Sequence, residues 1–312
     1  MRGAVIDLGS NTFHTLVAEV DRFGIVQVIH DEKVAVRLGA DAFATGRIPE
    51  ATYTRALAAA SVLIDNACAH TPDILRIVAT GVFREVVNGR ALLADIEERH
   101  DLEVELVDGP SEAALTWLGV SAELAGAHGR LAIVDVGGGS LECVAGSHVP
   151  ELTAHSFPLG VLRLRTHGRD AIRATVASTL APVIASIRAE PLEVVAISSG
   201  TARALLRLCR NLGLVGALQR HLSWRSFDEL ARILAPLPAS ALEVLGVEPA
   251  RHDTIATGAC IFASALELLG RPVVYVAASA LREGALIDVA RRAPKPSIVR
   301  AAAAAAADGG RS

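Results

Sequence analysis

The stretch Ala4-Val5-Ile6-Asp7-Leu8-Gly9-Ser10-Asn11-Thr12-Phe13-His14 returns 128 positions later (135 − 7) as Ala132-Ile133-Val134-Asp135-Val136-Gly137-Gly138-Gly139-Ser140-Leu141-Glu142. In each copy an apolar, β-prone run ends in Asp-x-Gly, passes through small residues to a hydroxyl, and enters a second apolar run. That pattern predicts a strand, a tight glycine-rich turn and a second strand. Outward-pointing turn amides suit phosphate oxygens, and a carboxylate at a strand end suits a hydrated divalent cation. Two such turns at matching offsets predict a duplicated α/β fold that grips a phosphate chain between its halves.

Periodicity extends the duplication outward. Residues 3–7, 13–20 and 24–34 read as three antiparallel strands, with turns at Gly9-Ser10-Asn11 and Asp21-Arg22-Phe23-Gly24. An alanine-rich amphipathic helix follows over 50–69, then a strand from Ile74 to Thr80, a helix from Arg90 to His100 and a strand from Leu102 to Val107. Ser111 is read as the cap of a helix reaching Leu124. The pattern restarts with strands at 131–135, 141–146 and 151–157, a helix at 171–189 and a strand at 193–198. Several helices are expected between 202 and 270, then a strand at 272–277 and a helix at 281–292. Three strands, helix, strand, helix in each half resembles the plan of the actin-like ATPase (ribonuclease H-like) fold, with a cleft between two related lobes. The expected organisation is a lobe over 1–124, a second over 125–292 whose last helix packs back on the first, and a disordered tail over 293–312. The boundary falls at Ala125-Gly126-Ala127-His128-Gly129.

Composition sets the class of partner. Of 312 residues, 51% are hydrophobic and 21% charged, which describes a globular chain, and 4% aromatic, so the cores rest on aliphatic packing. A net charge of −4 argues against bulk attraction to nucleic acid or an anionic membrane. A polyanion must then be held by local arginines and a metal ion. Cys68, Cys143, Cys209 and Cys260 form no Cys-x-x-Cys pair and read as buried free thiols. No secretory leader or membrane span is read, and the expected location is cytoplasmic.

Eight segments in order carry a family resemblance: Ile6–Thr12, Val78–Glu85, Asp108–Ala113 leading into Leu118-Gly119-Val120, Asp135–Glu142, Phe157–Leu164, Ser199–Arg203, Arg251-His252-Asp253 and Leu281–Gly284. The chain resembles the exopolyphosphatase / guanosine pentaphosphate phosphatase family in its short two-domain form. The resemblance implies a hydrolase releasing terminal orthophosphate from inorganic polyphosphate or the 5′ phosphate of guanosine pentaphosphate, and a homodimer. It places the catalytic base at Glu112, the second glutamate of the family's Ser-Gly-x-Glu-Glu-Ala motif. Here Ser111 replaces the first glutamate and Asp108 the serine. Those departures keep open a non-catalytic sensor of polyphosphate or an alarmone, and Glu112 also suits a helix N-terminus for structural reasons alone. A kinase of the same fold would need a catalytic aspartate in place of the Glu112 motif.

The remaining site residues follow from charge. A terminal phosphoryl group resists attack by water until its charge is neutralised. Asp7 and Asp135, ending equivalent strands, are the candidates to hold one hydrated Mg²⁺ through waters, with Glu142 pointing into the same cleft. His14, in the slot that Glu142 fills, reads as a packed residue. Gly9-Ser10-Asn11-Thr12 and Gly137-Gly138-Gly139-Ser140 are the phosphate cradles. Gly200-Thr201 is either a third anion site at a helix N-terminus or a plain β–α turn. Arg84 is a phosphate clamp by the resemblance, or a salt bridge to Glu85. Arg203, Arg207 and Arg210 share one helical face, and Arg163, Arg165 and Arg169 are near in sequence. They line a basic channel or form a solvated surface, the second being the plainer reading.

Overall fold

The computed structural model describes residues 1–21, 24–124, 129–149 and 151–292. The expected tail (293–312), most of the expected boundary (125–128) and Arg22-Phe23 of the first meander lie outside the described residues.

The first half runs β1 (Arg2–Leu8), β2 (Thr12–Val20), β3 (Val26–Ala35), α1 (Gly39–Thr45), α2 (Glu50–Ala69), β4 (Ile74–Ala79), α3 (Val82–Glu85), α4 (Gly89–His100), β5 (Val104–Leu106) and α5 (Gly109–Glu123). The second runs β6 (Leu131–Val136), β7 (Leu141–Gly146), β8 (Thr153–Phe157), α6 (Val161–Leu164), α7 (Arg169–Arg188), β9 (Val194–Ser198), α8 (Gly200–Asn211), β10 (His221–Ser223), α9 (Trp224–Leu234), α10 (Ala239–Val244), α11 (Ile255–Leu269), β11 (Val273–Val276) and α12 (Leu281–Arg292). The strands form two sheets, β3-β2-β1-β4-β5 and β10-β11-β9-β6-β7-β8. Both have an antiparallel meander on one side and parallel strands on the other, the duplicated actin-like plan. The short edge strand β10 lies where only helices were expected; at three residues it carries too little alternation to be read from sequence.

Register makes the duplication exact at the residue level. Asp7 stands opposite His14 across β1 and β2, and Asp135 opposite Glu142 across β6 and β7. The parallel neighbour differs: Val78 beside Asp7, Ser198 beside Asp135.

Each sheet is covered on both faces, so its central strands read as unbroken apolar runs. Ala4, Ile6 and Leu8 face a core built with α2 and α4, while Val5 faces the other way, toward α5 and α12. In the second sheet Ala132, Val134 and Val136 face α7, α8 and α11, and Ile133 faces α5. Helix α5 therefore serves both sheets. Leu115 and Leu118 enter the core with Val5 and Leu16, whereas Ala113, Trp117 and Val120 pack against Ile133, Val144 and Ala196. The last helix crosses α5 through glycine: a Cβ on Gly284 would overlap the carbonyl of Leu115. Arg76 of β4 fixes α12 by donating to Asp288 at 3.0 Å.

Among the described residues, α7 alone is long and apolar enough to span a membrane. Its buried residues Ile172, Val176, Leu180, Ile184 and Ile187 follow helical spacing and belong to the core of the second sheet. Cys143, Cys209 and Cys260 are buried free thiols, as expected, but Cys68 is exposed on α2.

Candidate active site

The two Asp-x-Gly turns meet. A Cβ on Gly138 would lie 3.0 Å from the Cβ of Asn11, and one on Gly139 would lie 2.9 Å from Ser10 Oγ. Glycine is required here by the close approach of one turn to the other, besides any ligand. Each turn closes in the same way: Gly9 N donates to the Thr12 carbonyl at 3.2 Å, and Gly137 N to that of Ser140 at 2.9 Å.

Beside the turns opens a cleft of about 570 Å³, lined by Asp7, Glu112, Asp135 and Glu142 and by both turns, Gly9 to Thr12 and Gly137 to Ser140. Asp7 and Asp135 arrive at the ends of the central strands, and Glu142 at the start of β7. Glu112 arrives in the first turn of α5, the helix shared by the two sheets. The Asp108 carboxylate caps that helix, accepting from Ser111 N at 2.8 Å, with Gly109 and Pro110 at its first positions. Asp108 rather than Ser111 is thus the cap, and both departures from the family motif fall on the capping turn.

Four acids in one cleft perturb each other. Burial, then repulsion from Glu142, raises Glu112 well above the usual carboxylate range, against the pull of Arg84. Burial and Asp135 push Glu142 up to about 7, while a bond from Ser156 opposes them. Burial lifts Asp7 to about 6, opposed by Arg282. Asp135 is raised by burial and restrained by Ser198 and Arg203. Such a cluster needs protons or a counter-cation.

The donor set decides what cation fits. Among the described residues no three acidic, histidine or thiol groups stand close enough to ligate one ion directly. Asp7, Asp135 and Glu142 therefore do not make a direct cage. Asp135 accepts from the Ser198 hydroxyl, and Glu142 from Ser156 Oγ at 2.7 Å, which leaves Asp7 Oδ1 buried without a hydrogen-bond partner. A hydrated Mg²⁺ suits this arrangement, because it keeps several waters and needs only one or two carboxylates beside substrate oxygens.

Other expected residues stand elsewhere. Arg84 does not line the cleft; it lines a second, neighbouring cavity and braces Glu112 from there, with Nη1 at 3.4 Å from Oε2 and a bond to the Val107 carbonyl. Glu85 pairs instead with Arg163. Gly200 lines the cleft, but Thr201 is buried outside it, and the amides of Thr201 and Ala202 both donate to Ser199 Oγ at 3.1 Å. That cap occupies the amides a third anion site would use. Ser199 holds it at φ +106°, a conformation unusual for a residue with a side chain. Arg203 and Arg207 do enter the cleft, whereas Arg210 bonds the Gln219 carbonyl outside it. Arg163 stacks on Phe43, Arg165 pairs with Asp253 and Arg169 with Asp228. His14 lines the cleft and contacts Asp31. Among the residues with no role assigned from sequence are the hydroxyls Ser156 and Ser198, reached only through sheet pairing, and Arg282, 6% exposed at the start of α12.

Residues 16–293 match the model of the Ppx/GppA phosphatase family. The chain belongs to that family. It is similar to Exopolyphosphatase 1 of Mycobacterium tuberculosis, 27% identical over 308 residues that cover 92% of this chain and 88% of that protein. It is also similar to a guanosine-5′-triphosphate,3′-diphosphate pyrophosphatase of Vibrio atlanticus, 30% identical over 90% of this chain and 58% of that protein. The crystal structure of an exopolyphosphatase from Cytophaga hutchinsonii superposes with a TM-score of 0.82 at 26% identity, covering 93% of this chain and 98% of that one. In this Ppx/GppA member the family match starts beyond the first Asp-x-Gly turn, so the Asp7 half of the cleft is seen through the internal repeat and the fold.

Proposed function

We propose that this chain is an Mg²⁺-dependent exopolyphosphatase, releasing terminal orthophosphate from inorganic polyphosphate, with Glu112 as the base that activates water. The observation that supports this most directly is the convergence of Asp7, Glu112, Asp135 and Glu142 with both glycine turns on one cleft. The hydroxyls and amides of Ser10–Thr12 and Gly138–Ser140 bind the terminal phosphoryl oxygens, while the Gly9 and Gly137 amides close the turns. Glu112 accepts a proton from the attacking water, whose oxygen bonds to the terminal phosphorus as the bridging P–O bond breaks and the shortened chain leaves with the bond pair. Burial and the neighbouring Glu142 raise the Glu112 carboxylate above its usual range, which makes its ionised form a stronger base than a solvated one, and Arg84 holds it in place from the neighbouring cavity. Asp7 and Asp135, with Glu142 close by, would hold Mg²⁺ through waters, and the bound ion would neutralise charge on the phosphoryl oxygens. On this reading residues 1–124 and 125–292 are two lobes joined through α5, working in the cytoplasm.

Hydrolysis of guanosine pentaphosphate is the second reading, favoured by the likeness to the Vibrio atlanticus protein; it uses the same cleft. Orthophosphate release is measured from polyphosphates of defined length and from guanosine pentaphosphate, with and without Mg²⁺. Glu112→Gln should lose activity by about 10²–10⁴-fold. Undiminished turnover in that variant refutes the base, and release in the presence of chelator refutes the metal.

A further inference from the structure

The mouth of the cleft carries a charge arrangement that the mechanism above does not use. Glu248, just ahead of the Pro249–Arg251 turn, holds three cations on one carboxylate. Its Oε1 accepts from Lys33 Nζ at 2.8 Å and from Arg207 Nη2 at 3.3 Å, and its Oε2 from Arg251 Nε at 3.4 Å. Lys33 lies on β3, the edge strand of the first sheet, and the arginines belong to the second half. One carboxylate therefore ties the halves together across the cleft. All four residues line the cleft, with Arg203 and Asp31 among them. Four cations against two acids leave a net positive mouth below four acidic groups.

The cations crowd each other. Burial, then Arg203 and Arg207, hold Arg251 below its ordinary basicity, although Glu248 opposes them. Two of the three Glu248 pairs are also solvated: Lys33 and Arg207 side chains are 46% and 48% exposed and Glu248 is 35% exposed, whereas Arg251 is 12% exposed. Ion pairs of that exposure are individually weak. The successive phosphates of a chain each carry a negative charge and together outweigh one carboxylate, and their oxygens take guanidinium donors in the same forked geometry.

We propose that Glu248 is an internal competitor of the substrate: its carboxylate fills the anion position that a distal phosphate of a polyanionic chain takes on binding. The proposal rests on the phosphoanhydride hydrolase reading. An entering chain displaces Glu248 from Lys33, Arg207 and Arg251, and in doing so opens the Lys33–Glu248 tie between the halves. Anions too weakly charged to displace it are turned away, so Glu248 sets selectivity without touching the reacting phosphorus.

The test is equilibrium binding of inorganic polyphosphate to the full chain by titration calorimetry, with Glu112→Gln in every sample to stop turnover. Adding Glu248→Gln should lower Kd about tenfold, equivalent to about 1.4 kcal/mol. Adding Lys33→Gln should raise Kd. If Glu248 serves only to arrange the cations, its removal leaves Kd unchanged or raises it, and the proposal is overturned. Absence of polyphosphate binding in the Glu112→Gln reference itself overturns the substrate reading and this proposal together.

Discussion

Replacing Asp7 by asparagine should stabilise the metal-free protein while removing its activity. Asp7 is raised by burial from 3.8 to about 6, and its Oδ1 has no hydrogen-bond partner. A folded-state pKa above the unfolded one means that the folded state binds more protons, so stability from this group is full below pH 3.8 and is lost as pH rises through 6. Integrating the two titrations gives a cost of about 1.6 kcal/mol at pH 5 and about 3 kcal/mol at pH 8. Asparagine carries no charge and removes this cost, although its buried amide keeps one unpaired polar atom. Urea denaturation in chelator should therefore show Asp7→Asn more stable than the parent, with the gap widening by about 1.4 kcal/mol between pH 5 and pH 8. Phosphate release should fall to background in the same variant. A variant that is less stable at pH 8, or a gap that does not change with pH, refutes the account of Asp7 as a strained, buried charge.

Two further outcomes test the braces around the cleft. Arg84→Met removes the cation that lowers Glu112, so the base protonates at higher pH and the acid limb of kcat/KM should move to higher pH; a limb that stays put or moves down contradicts the Arg84–Glu112 pairing. Gly284→Ala drives a methyl into the Leu115 carbonyl where α12 crosses α5, and should cost about 3 kcal/mol in urea denaturation while lowering activity through Arg282 and Glu112, one on each helix. A parental denaturation midpoint in that variant would show that the crossing has room.

The internal repeat shows how much was legible. Asp7 with Asp135 and His14 with Glu142 could be aligned from the sequence as equivalent positions of the two copies, and the register agrees, because Asp7 stands opposite His14 just as Asp135 stands opposite Glu142. Asp7, Asp135, Glu142 and the turn glycines of the cleft are readable for the same reason, each sitting at a fixed offset from a turn, whereas Glu112 is singled out by the family resemblance. For Arg84 and Thr201 the sequence leaves two readings each, because their hydrogen-bond partners are set by remote or local competitors. Arg84 is drawn to Glu112, 28 residues away, and the Thr201 amide is taken by the hydroxyl of Ser199. Neither competition leaves a mark in periodicity.

Local sequence thus determined the two strand–turn–strand units, their glycine turns and the acids that end their strands, since these depend on residues within a few positions of each other. Tertiary structure alone decided how the units face. Packing of α5 between both sheets brings Glu112 to the cleft, and the crossing of α12 brings Arg282. The meeting of the two halves sets Lys33 against Glu248, 215 residues apart. Those positions follow from side-chain volume at helix crossings and from the burial of like charges together, quantities that exist only once the chain is folded.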